Sequence, residues 1–577
     1  MKFRWSVAPA QTSLAAELGT ALNLPPLLVQ CLLNRGLSQP AAIREFLEPR
    51  LRHLADPFRL PNMARAVERL FLARERGEPV VIFGDYDVDG VTSTALLLQV
   101  LRGLGWAVES YLPNRMDEGY GLSREAVGNC LKKFPVKLLV AVDCGSTSAA
   151  PVLWLQEQGV DVVVLDHHQV SMPLPAAVAL VNPQLDPRPD REPAATELCS
   201  AGLAFKLAHA LVKRGREAGM PGASEFDLRP LLDLVALGTI ADIVPLTGEN
   251  RILVSAGLQR LNATRRPGLL ALKTVARCPS RLGPFEVGYQ LAPRLNAAGR
   301  LETAEAALHL LLAQGAAEAA AIARDLDTCN RERQSLERGI AEEAVAAVSA
   351  TFKPEEQFVI VEGRAAWHIG VVGIVASRVL QQFYRPTIIV GGEGGEWRGS
   401  GRSIPGFDLA AALRECGELL VRHGGHAMAA GLALLPENLE PFRARLNELA
   451  RRALPPEALR PRLALDAEVS LRDLSLECLS QLDRLKPTGQ GNPDARFFVR
   501  GAAHTRTPQR MGADQQHVKM WVTDGTGAHE AVWWNAGEQA LPAGRFDLAF
   551  TPQVNDYNGR RSVQLKVADW RRPECLA

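Results

Sequence analysis

The sequence predicts a multidomain protein of the α/β class: a parallel-sheet domain, a long connecting helix, a second α/β domain and a C-terminal β-barrel. Three observations predict it. Four short apolar runs between Val80 and Val181, the third interrupted only by Asp161, alternate with helical stretches, as strands of a parallel sheet buried on both faces do. A proline-free stretch rich in Ala, Glu, Arg and Leu runs from Ala316 to Ala350. Past Pro455, Pro456 and Pro461 the pattern changes to short strand-like runs. These shifts divide the 577 residues into an N-terminal helical cap (1–55), a parallel-sheet domain (56–265), a helical connector (266–350), a second α/β domain (351–455) and the barrel (456–577).

Residues 1–55 read as helical and loop-rich, with Leu24-Pro25-Pro26-Leu27 and an amphipathic stretch from Ala41 to Leu51, and are expected to cap the domain that follows. The next segment organises the chain. Val80 to Phe83 make a buried strand, Asp85, Asp87 and Asp89 follow at alternate positions, Gly90 lets the backbone turn, and a helical run extends from Ser93 to Leu104. Ligands in such units lie beyond the carboxyl ends of the strands, and three crowded carboxylates repel one another unless cations lie between them. A calcium-binding EF-hand loop is excluded. Its twelfth position, which needs a bidentate Glu, is Leu96 here, and a β-type run precedes the loop. A solvated acidic turn is the plainer alternative.

The later runs decide between them. Leu138–Val142 ends in Asp143, Val160–Leu165 in Asp166-His167-His168, and Val178–Val181 in Asn182. The buried segment Leu231–Ile240 leads to Asp242. One acid after a strand is usually a helix N-cap, but parallel strands present all their carboxyl ends on one edge, so these groups converge. Carboxylates with imidazole suit manganese or magnesium better than zinc or copper. The donors outnumber the needs of one ion, and two ions about 3.5–4 Å apart sharing a carboxylate suit in-line displacement at phosphorus. Neighbouring side chains seldom aim at one point, so one of His167 and His168 is expected on metal and the other on substrate.

Composition narrows the class. A hydrophobic share of 47% and a charged share of 22% are globular values. No long apolar segment predicts a membrane span, and the first residues carry no secretory pattern, so a cytoplasmic protein is expected. Nine scattered cysteines without a Cys-x-x-Cys pair read as reduced thiols. The net charge of +1 offers no global argument for nucleic acid. Arg outnumbers Lys by 54 to 11, for which codon bias is the plainer explanation.

The connector reads as a helix of about 50 Å at 1.5 Å per residue, joining two lobes whose cleft would suit a threaded strand. In the second domain Phe358–Val361 and Thr387–Val390 read as strands with a helix over Gly370–Leu380 between them, and the glycine-rich Gly391–Gly395 and Gly399–Ser403 as turns. Exposed amides beside Arg402 would make an anion pocket, although glycine-rich turns are usually only turns. In the last domain Phe497–Val499, Val518–Val522, Ala531–Trp534 and Phe546–Phe550 read as strands, and Asn558-Gly559 as a hairpin turn. This is the pattern of an OB-fold. Trp521, Trp533, Trp534, Tyr557, Lys519 and Arg560 would form a basic, base-stacking groove, with Trp533 or Trp534 assigned to the core because strand neighbours face opposite ways.

The set Gly-Asp-Tyr-Asp-Val-Asp-Gly (84–90), Val-Asp-Cys-Gly (142–145), Asp-His-His (166–168) and Gly-Thr-Ile-Ala-Asp-Ile-Val-Pro-Leu (238–246) resembles the DHH phosphoesterase superfamily, and within it the single-strand-specific 5′→3′ DNA exonucleases. The resemblance continues through Pro113-Asn114-Arg115, Gly119-Tyr120-Gly121, Leu291–Arg300, Trp367-His368, Gly370–Gly373, Gly399–Ser403 and Gly424–Ala427, covering about residues 60 to 500. It implies that Asp87, Asp89, Asp143, His167 and Asp242 hold two divalent cations, Mn2+ or Mg2+, with Asp85 a ligand or close neighbour and Asp143 bridging. It implies catalytic roles for Asp85, Asp166 and His168, with His168 polarising the scissile phosphate. Arg115, Ser400 and Arg402 would take the 5′-phosphate, and Arg294 and His426 the DNA backbone. The second α/β domain would be a DHHA1 domain. The resemblance further implies a monomer acting on single-stranded DNA in repair and recombination, near a single-strand-binding protein and a helicase, without a membrane. One departure is Cys144, where the family usually has Asn. Two alternatives are a DHH phosphodiesterase for short oligonucleotides or cyclic dinucleotides, against which the C-terminal barrel argues, and a non-catalytic binding protein, against which the full ligand set argues.

Overall fold

The computed structural model describes residues 3–573 apart from 115–116, 120, 186–196, 302, 393 and 538. The chain divides into two compact units. One joins Glu48–Ile340 with Pro487–Asn492; the other joins Met1–Leu47, Ala341–Lys486 and Pro493–Ala577. The first strand, β1 (Arg4–Val7), belongs to the latter.

The Glu48–Ile340 unit is built on β2 (Val80–Gly84), β3 (Val108–Tyr111), β4 (Leu138–Val142), β5 (Asp161–Leu165) and β6 (Ala179–Val181). All pairings are parallel and the order is β3-β2-β4-β5-β6. The apolar runs are continuous because both faces are buried. Val80, Ile82, Leu138, Val140, Val142, Val163 and Leu165 enter one core with the helices Val88–Gly103, Ser200–Glu217 and Leu232–Ala241. Val81, Phe83, Leu139, Ala141, Val162 and Val164 enter another, with Arg124–Lys133 and Ala149–Glu157. The apolar segment ending at Asp242 is therefore a helix buried all round, not a further strand. The helix Ala316–Thr351 has 36 residues, about 54 Å. Its residues as far as Ile340 belong to this unit.

The other unit contains a five-stranded sheet in the order β10-β11-β9-β8-β7, formed by β7 (Ile360–Arg364), β8 (Thr387–Gly391), β9 (Trp397–Arg402), β10 (Arg422–Gly425) and β11 (Ala429–Leu434). β7 and β8 are parallel and the rest antiparallel. The glycine-rich stretch at 399–402, expected as a turn, is the strand β9 at the centre of this sheet. Its glycines serve close packing: a Cβ on Gly401 would come within 2.6 Å of the Leu409 side chain.

β12 (Arg462–Leu465) pairs with β1, and β13 (Ala467–Glu468) with the start of β14 (Phe497–Met511). With β15 (His517–Thr523), β16 (Ala528–Trp533), β17 (Phe546–Tyr557) and β18 (Arg560–Arg571), β14 closes a barrel in the order β14-β15-β16-β18-β17 and back to β14. This is the Greek-key connection of an OB-fold. Asn558 and Gly559 turn the β17–β18 hairpin with φ of 52° and 73°. Trp533 is 8% exposed and Trp534 45%.

The N-terminal segment corrects an expectation. As far as Leu47 it packs on the barrel, while Leu51, Leu54 and Ala55 belong with the parallel-sheet domain. Leu18, Leu28, Leu32 and Ile43 share a core with Phe497, Met520 and Phe546, and Asn34 donates to Asp466. Among the described residues no single helix is long and apolar enough to cross a membrane.

Candidate metal centre

The parallel ladder places the acids. Each of β2, β4 and β5 gains one more hydrogen bond past its end: Asp85 N donates to Val142 O (3.2 Å), Asp143 N to Leu165 O (3.0 Å) and Asp166 N to Val181 O (3.2 Å). Asp143 adopts φ +64°, a left-handed conformation uncommon outside glycine and frequent where function holds strain. Asp87 is also the N-cap of the helix Val88–Gly103. Its Oδ1 accepts from Asp89 N at 2.9 Å and Gly90 N at 3.2 Å, so the capping role is real for one of its oxygens.

The six expected ligands fall into two groups of three. Asp85, Asp87 and Asp143 bring ligand atoms within 4.8 Å of one another, as do Asp89, His167 and Asp242. His167 Nε2 lies 3.4 Å from Asp143 Oδ1, 3.4 Å from Asp242 Oδ2 and 3.9 Å from Asp89 Oδ2. Asp143 is thus the acid that faces both groups.

The electrostatics report the same crowding. Burial, then the charge of Asp87, pushes Asp89 up to about 6, against the pull of its backbone donors. Burial and the charges of Asp89, Asp87, Asp85 and Asp242 raise Asp143 well above the carboxylate range. Burial and the charges of Asp89 and Asp87 push Asp242 up to about 9. Among the described residues the buried Asp242 Oδ2 accepts no hydrogen bond. Carboxylate oxygens with one imidazole, mutually repelling and partly unsatisfied, fit divalent cations of the manganese and magnesium kind.

Asp166 is not part of this cage. Its Oδ2 accepts from Ser146 N (2.9 Å), and its Oδ1 from His167 N (2.8 Å) and His168 N (3.2 Å), with His168 Nδ1 at 2.7 Å. Burial alone would raise its carboxyl. The His168 ring and the Ser146 donors outweigh burial and hold it well below the usual range. Burial would lower His168; Asp166, followed by Asp242 and Asp85, outweighs it and pushes the imidazole up to about 9. Asp166, expected in a catalytic role, therefore lies behind His168, bonded to its ring, while His168 joins Asp143 and His167 at the edge of the cage.

Several supporting groups were not singled out from the sequence. Asp89 is seated on the N-terminus of the helix Ser200–Glu217, accepting from Ser200 N (2.7 Å) and Ala201 N (2.8 Å), where the helix dipole favours an anion. Ser200 Oγ donates to Asp143 Oδ1 at 3.0 Å. Of these contacts only the Ser200 hydroxyl depends on residue identity; the two amide donors do not. Asn296 Oδ1 accepts from Val88 N at 3.0 Å, which explains one Asn in the 291–300 motif. A Cβ on Gly238 would stand 2.9 Å from Asp89 Oδ1. Gln490 O accepts from Leu246 N at 2.7 Å, so the 487–492 loop braces the segment after Asp242.

Arg115 falls outside the described residues; the preceding Asn114 is fixed by Glu118, which also accepts from Tyr111 and Asn129. Arg294 donates from Nε to Asp327 (2.9 Å) and from Nη1 to Gln290 O (2.6 Å), so an ion pair and a backbone carbonyl each engage one of its nitrogens. Ser400 and Arg402 lie on β9, with Arg402 Nη1 donating to Ser400 Oγ at 2.9 Å. Gly373, near the start of the helix Val372–Phe383, packs on both: a Cβ there would meet Ser400 Oγ at 3.0 Å and Arg402 Nη2 at 3.1 Å. His426 occupies the turn between β10 and β11. Cys144 is buried beside Asp143 in an apolar cluster, and burial raises its thiol well above the ordinary value.

Comparison with known proteins agrees with this architecture. Residues 79–239 match the DHH family, N-terminal domain; residues 356–452 the DHHA1 domain; and residues 465–569 the RecJ OB domain. The single-stranded-DNA-specific exonuclease RecJ of Dickeya dadantii is 38% identical over 565 residues, 94% of this chain and 96% of that protein. The crystal structure of RecJ from Thermus thermophilus in complex with Mn2+ has a TM-score of 0.85 at 33% identity, covering all of this chain and 80% of that one. The Mg2+ complex has a TM-score of 0.79 at 31% identity, covering all of this chain and 79% of that one.

Proposed function

This chain belongs to the RecJ family, and we propose that it is a single-stranded-DNA-specific exonuclease that removes mononucleotides in the 5′→3′ direction. The observation that carries the reading is the gathering of six ligands from separate segments around Asp143. Asp85, Asp87, Asp89, Asp143, His167 and Asp242 would hold two divalent cations, Mn2+ or Mg2+. Bound there, the cations supply Lewis-acid polarisation of the phosphodiester, activation of water and neutralisation of developing charge.

The chain's own residues do the rest. Asp143 faces both ligand groups, and its strained backbone and the Ser200 hydroxyl hold it there. Asp166 keeps His168 oriented and protonated, so that the ring donates to a scissile phosphate oxygen. Ser400 and Arg402, beside the N-terminal turn of a helix, would hold a strand phosphate, with Arg115 completing recognition of the 5′ end. Arg294 and His426 are assigned to the DNA backbone, Arg294 through what its ion pair with Asp327 leaves available.

In the barrel, Trp521 lies on the outer face with Arg506 at 5.3 Å and Lys519 at 5.4 Å from its ring, a surface suited to base stacking. Trp533 is withdrawn into the core. The protein would act as a cytoplasmic monomer in repair and recombination, alongside a single-strand-binding protein and a helicase. The barrel disfavours a dinucleotide phosphodiesterase, and the complete ligand set disfavours a non-catalytic protein.

Digestion of end-labelled single- and double-stranded DNA with each cation tests this. Loss of 5′ label as mononucleotides from single strands alone is expected; equal digestion of duplex, or release from the 3′ end, rejects it. Arg402→Ala should weaken the preference for 5′-phosphorylated ends about tenfold. An unchanged preference removes Arg402 from end recognition.

A further inference from the structure

We propose that the exposed rings of Phe285 and Tyr289 form a stacking platform for bases of the strand that enters the metal centre. The inference rests on the nuclease reading above and deepens it by naming how the strand is held beside the cage. Phe285 is 61% exposed and Tyr289 73%. Their ring centroids are 4.9 Å apart with planes at 29°, so they form a stacked pair open to solvent. Among the described residues of the Glu48–Ile340 unit they are the exposed aromatic side chains.

The backbone beneath them is firmly mounted. Val287 and Leu291 anchor it in the core, Gly283 N donates to Glu286 Oε2 at 2.7 Å, and Asn262 bonds both the N–H and the carbonyl of Leu282. Val287–Leu291 forms a π-helical turn, a rare form that recurs at functional sites. The two rings pack on each other and leave most of their surface outside the core that holds their backbone.

Position supplies the occupant. A Cβ on Gly288 would lie 3.8 Å from Ile240 Cγ2, two residues before the ligand Asp242. On its other side the turn runs into the helix Ala292–Leu301, whose Asn296 holds the backbone of the acidic loop at Val88. The platform is thus built onto two segments of the cage. Directly after Asp242, Ile243 is 70% exposed and adopts φ +60°, a strained conformation for a β-branched residue. An apolar side chain is thereby held out beside a ligand. Flat apolar faces next to a phosphodiester-cleaving site match nucleobases, which stack on aromatic rings without regard to sequence.

The test uses the full chain with Mn2+, the double variant Phe285→Ala/Tyr289→Ala, and oligonucleotides carrying a single abasic residue at successive positions. Both rings are exposed, so folding is not at stake. The double variant is expected to raise KM for a single strand on the order of tenfold, with the smaller part of the loss in kcat. One or two abasic positions that weaken the parent protein should not weaken the variant further. In an Asp143→Ala background, 2-aminopurine at those positions should be quenched on binding, and the quenching lost with the rings. Unchanged KM, abasic sensitivity retained in the variant, or a loss confined to binding of another protein each overturns the proposal. Failure of the parent protein to cut single strands would instead overturn the nuclease reading, and the first arm distinguishes the two.

Discussion

At the amino ends of the parallel strands, Glu78 just before β2 and Asp161 at the start of β5 share one guanidinium. Arg69, 8% exposed, meets each at 2.6 Å. At the carboxyl ends of the same sheet, Asp85, Asp89, Asp143 and Asp242 crowd together with one imidazole among them, and among the described residues that imidazole, not a Lys or Arg, is the basic group paired with Asp89, Asp143 and Asp242. One edge neutralises its acids with the protein's own cation and is thereby structural. The other leaves the charge to be neutralised from outside, and its carboxyls are raised as a result. Both edges carry acids; what separates them is whether a Lys or Arg is supplied.

The largest effect should come from breaking the uncompensated edge. Asp143→Ala, or Asp87→Ala, should lower cleavage on the order of a thousandfold while single-strand binding survives. Substantial cation-dependent cleavage in either variant would remove the proposed mechanism. Next is the response to cations and pH. Asp89, Asp143 and Asp242 have folded pKa values above the unfolded value near 4, so between the two the folded state binds more protons. His168, raised to about 9, behaves likewise above its unfolded value near 6.5. Cation-free protein should therefore lose stability as pH rises from about 5 to 9. Manganese at a hundred times its Kd should restore about 2.7 kcal/mol, and more of the recovery should be seen at high pH. Thermal melts that are flat with pH and indifferent to manganese would contradict the contrast.

Arg69→Ala should do the reverse. It should cost about 2 kcal/mol of stability, discounted because Asp161 is half exposed, and manganese should not rescue the loss beyond its effect on the parent protein. The smallest expected effect is Asp166→Asn. It keeps the shape behind His168 but removes the charge, and should lower kcat about tenfold while shifting the alkaline limb of the pH–rate profile to lower pH. An unshifted limb would deny Asp166 its positioning role.

The chemistry of the cage was legible because a parallel sheet writes it plainly. Three of its strands, β2, β4 and β5, are mainly apolar runs that end on the same edge, and an acid follows each immediately. The barrel strands, the Asn558-Gly559 hairpin and the division of labour between Trp533 and Trp534 were legible from alternation and turn chemistry. β9 was not. Its glycines spell a turn by composition, yet they lie in a strand because neighbouring side chains occupy the space where their Cβ atoms would stand. The support of Asp89 by Ser200 and Ala201 was also hidden, since a backbone N–H leaves no mark on residue identity.

By itself, then, the order of residues determined the central strands of the parallel sheet and those of the barrel, which ends carry acid, and the donor types available to a cation, since these follow from local periodicity and side-chain chemistry. Only the tertiary structure decided that Arg4–Val7 would pair with Arg462–Leu465, that the N-terminal helices would cover the barrel, and that Asp166 would turn away from the cage toward His168. Those outcomes depend on contacts between distant segments and on competition for a few hydrogen-bond donors, and neither has a period that a linear chain displays.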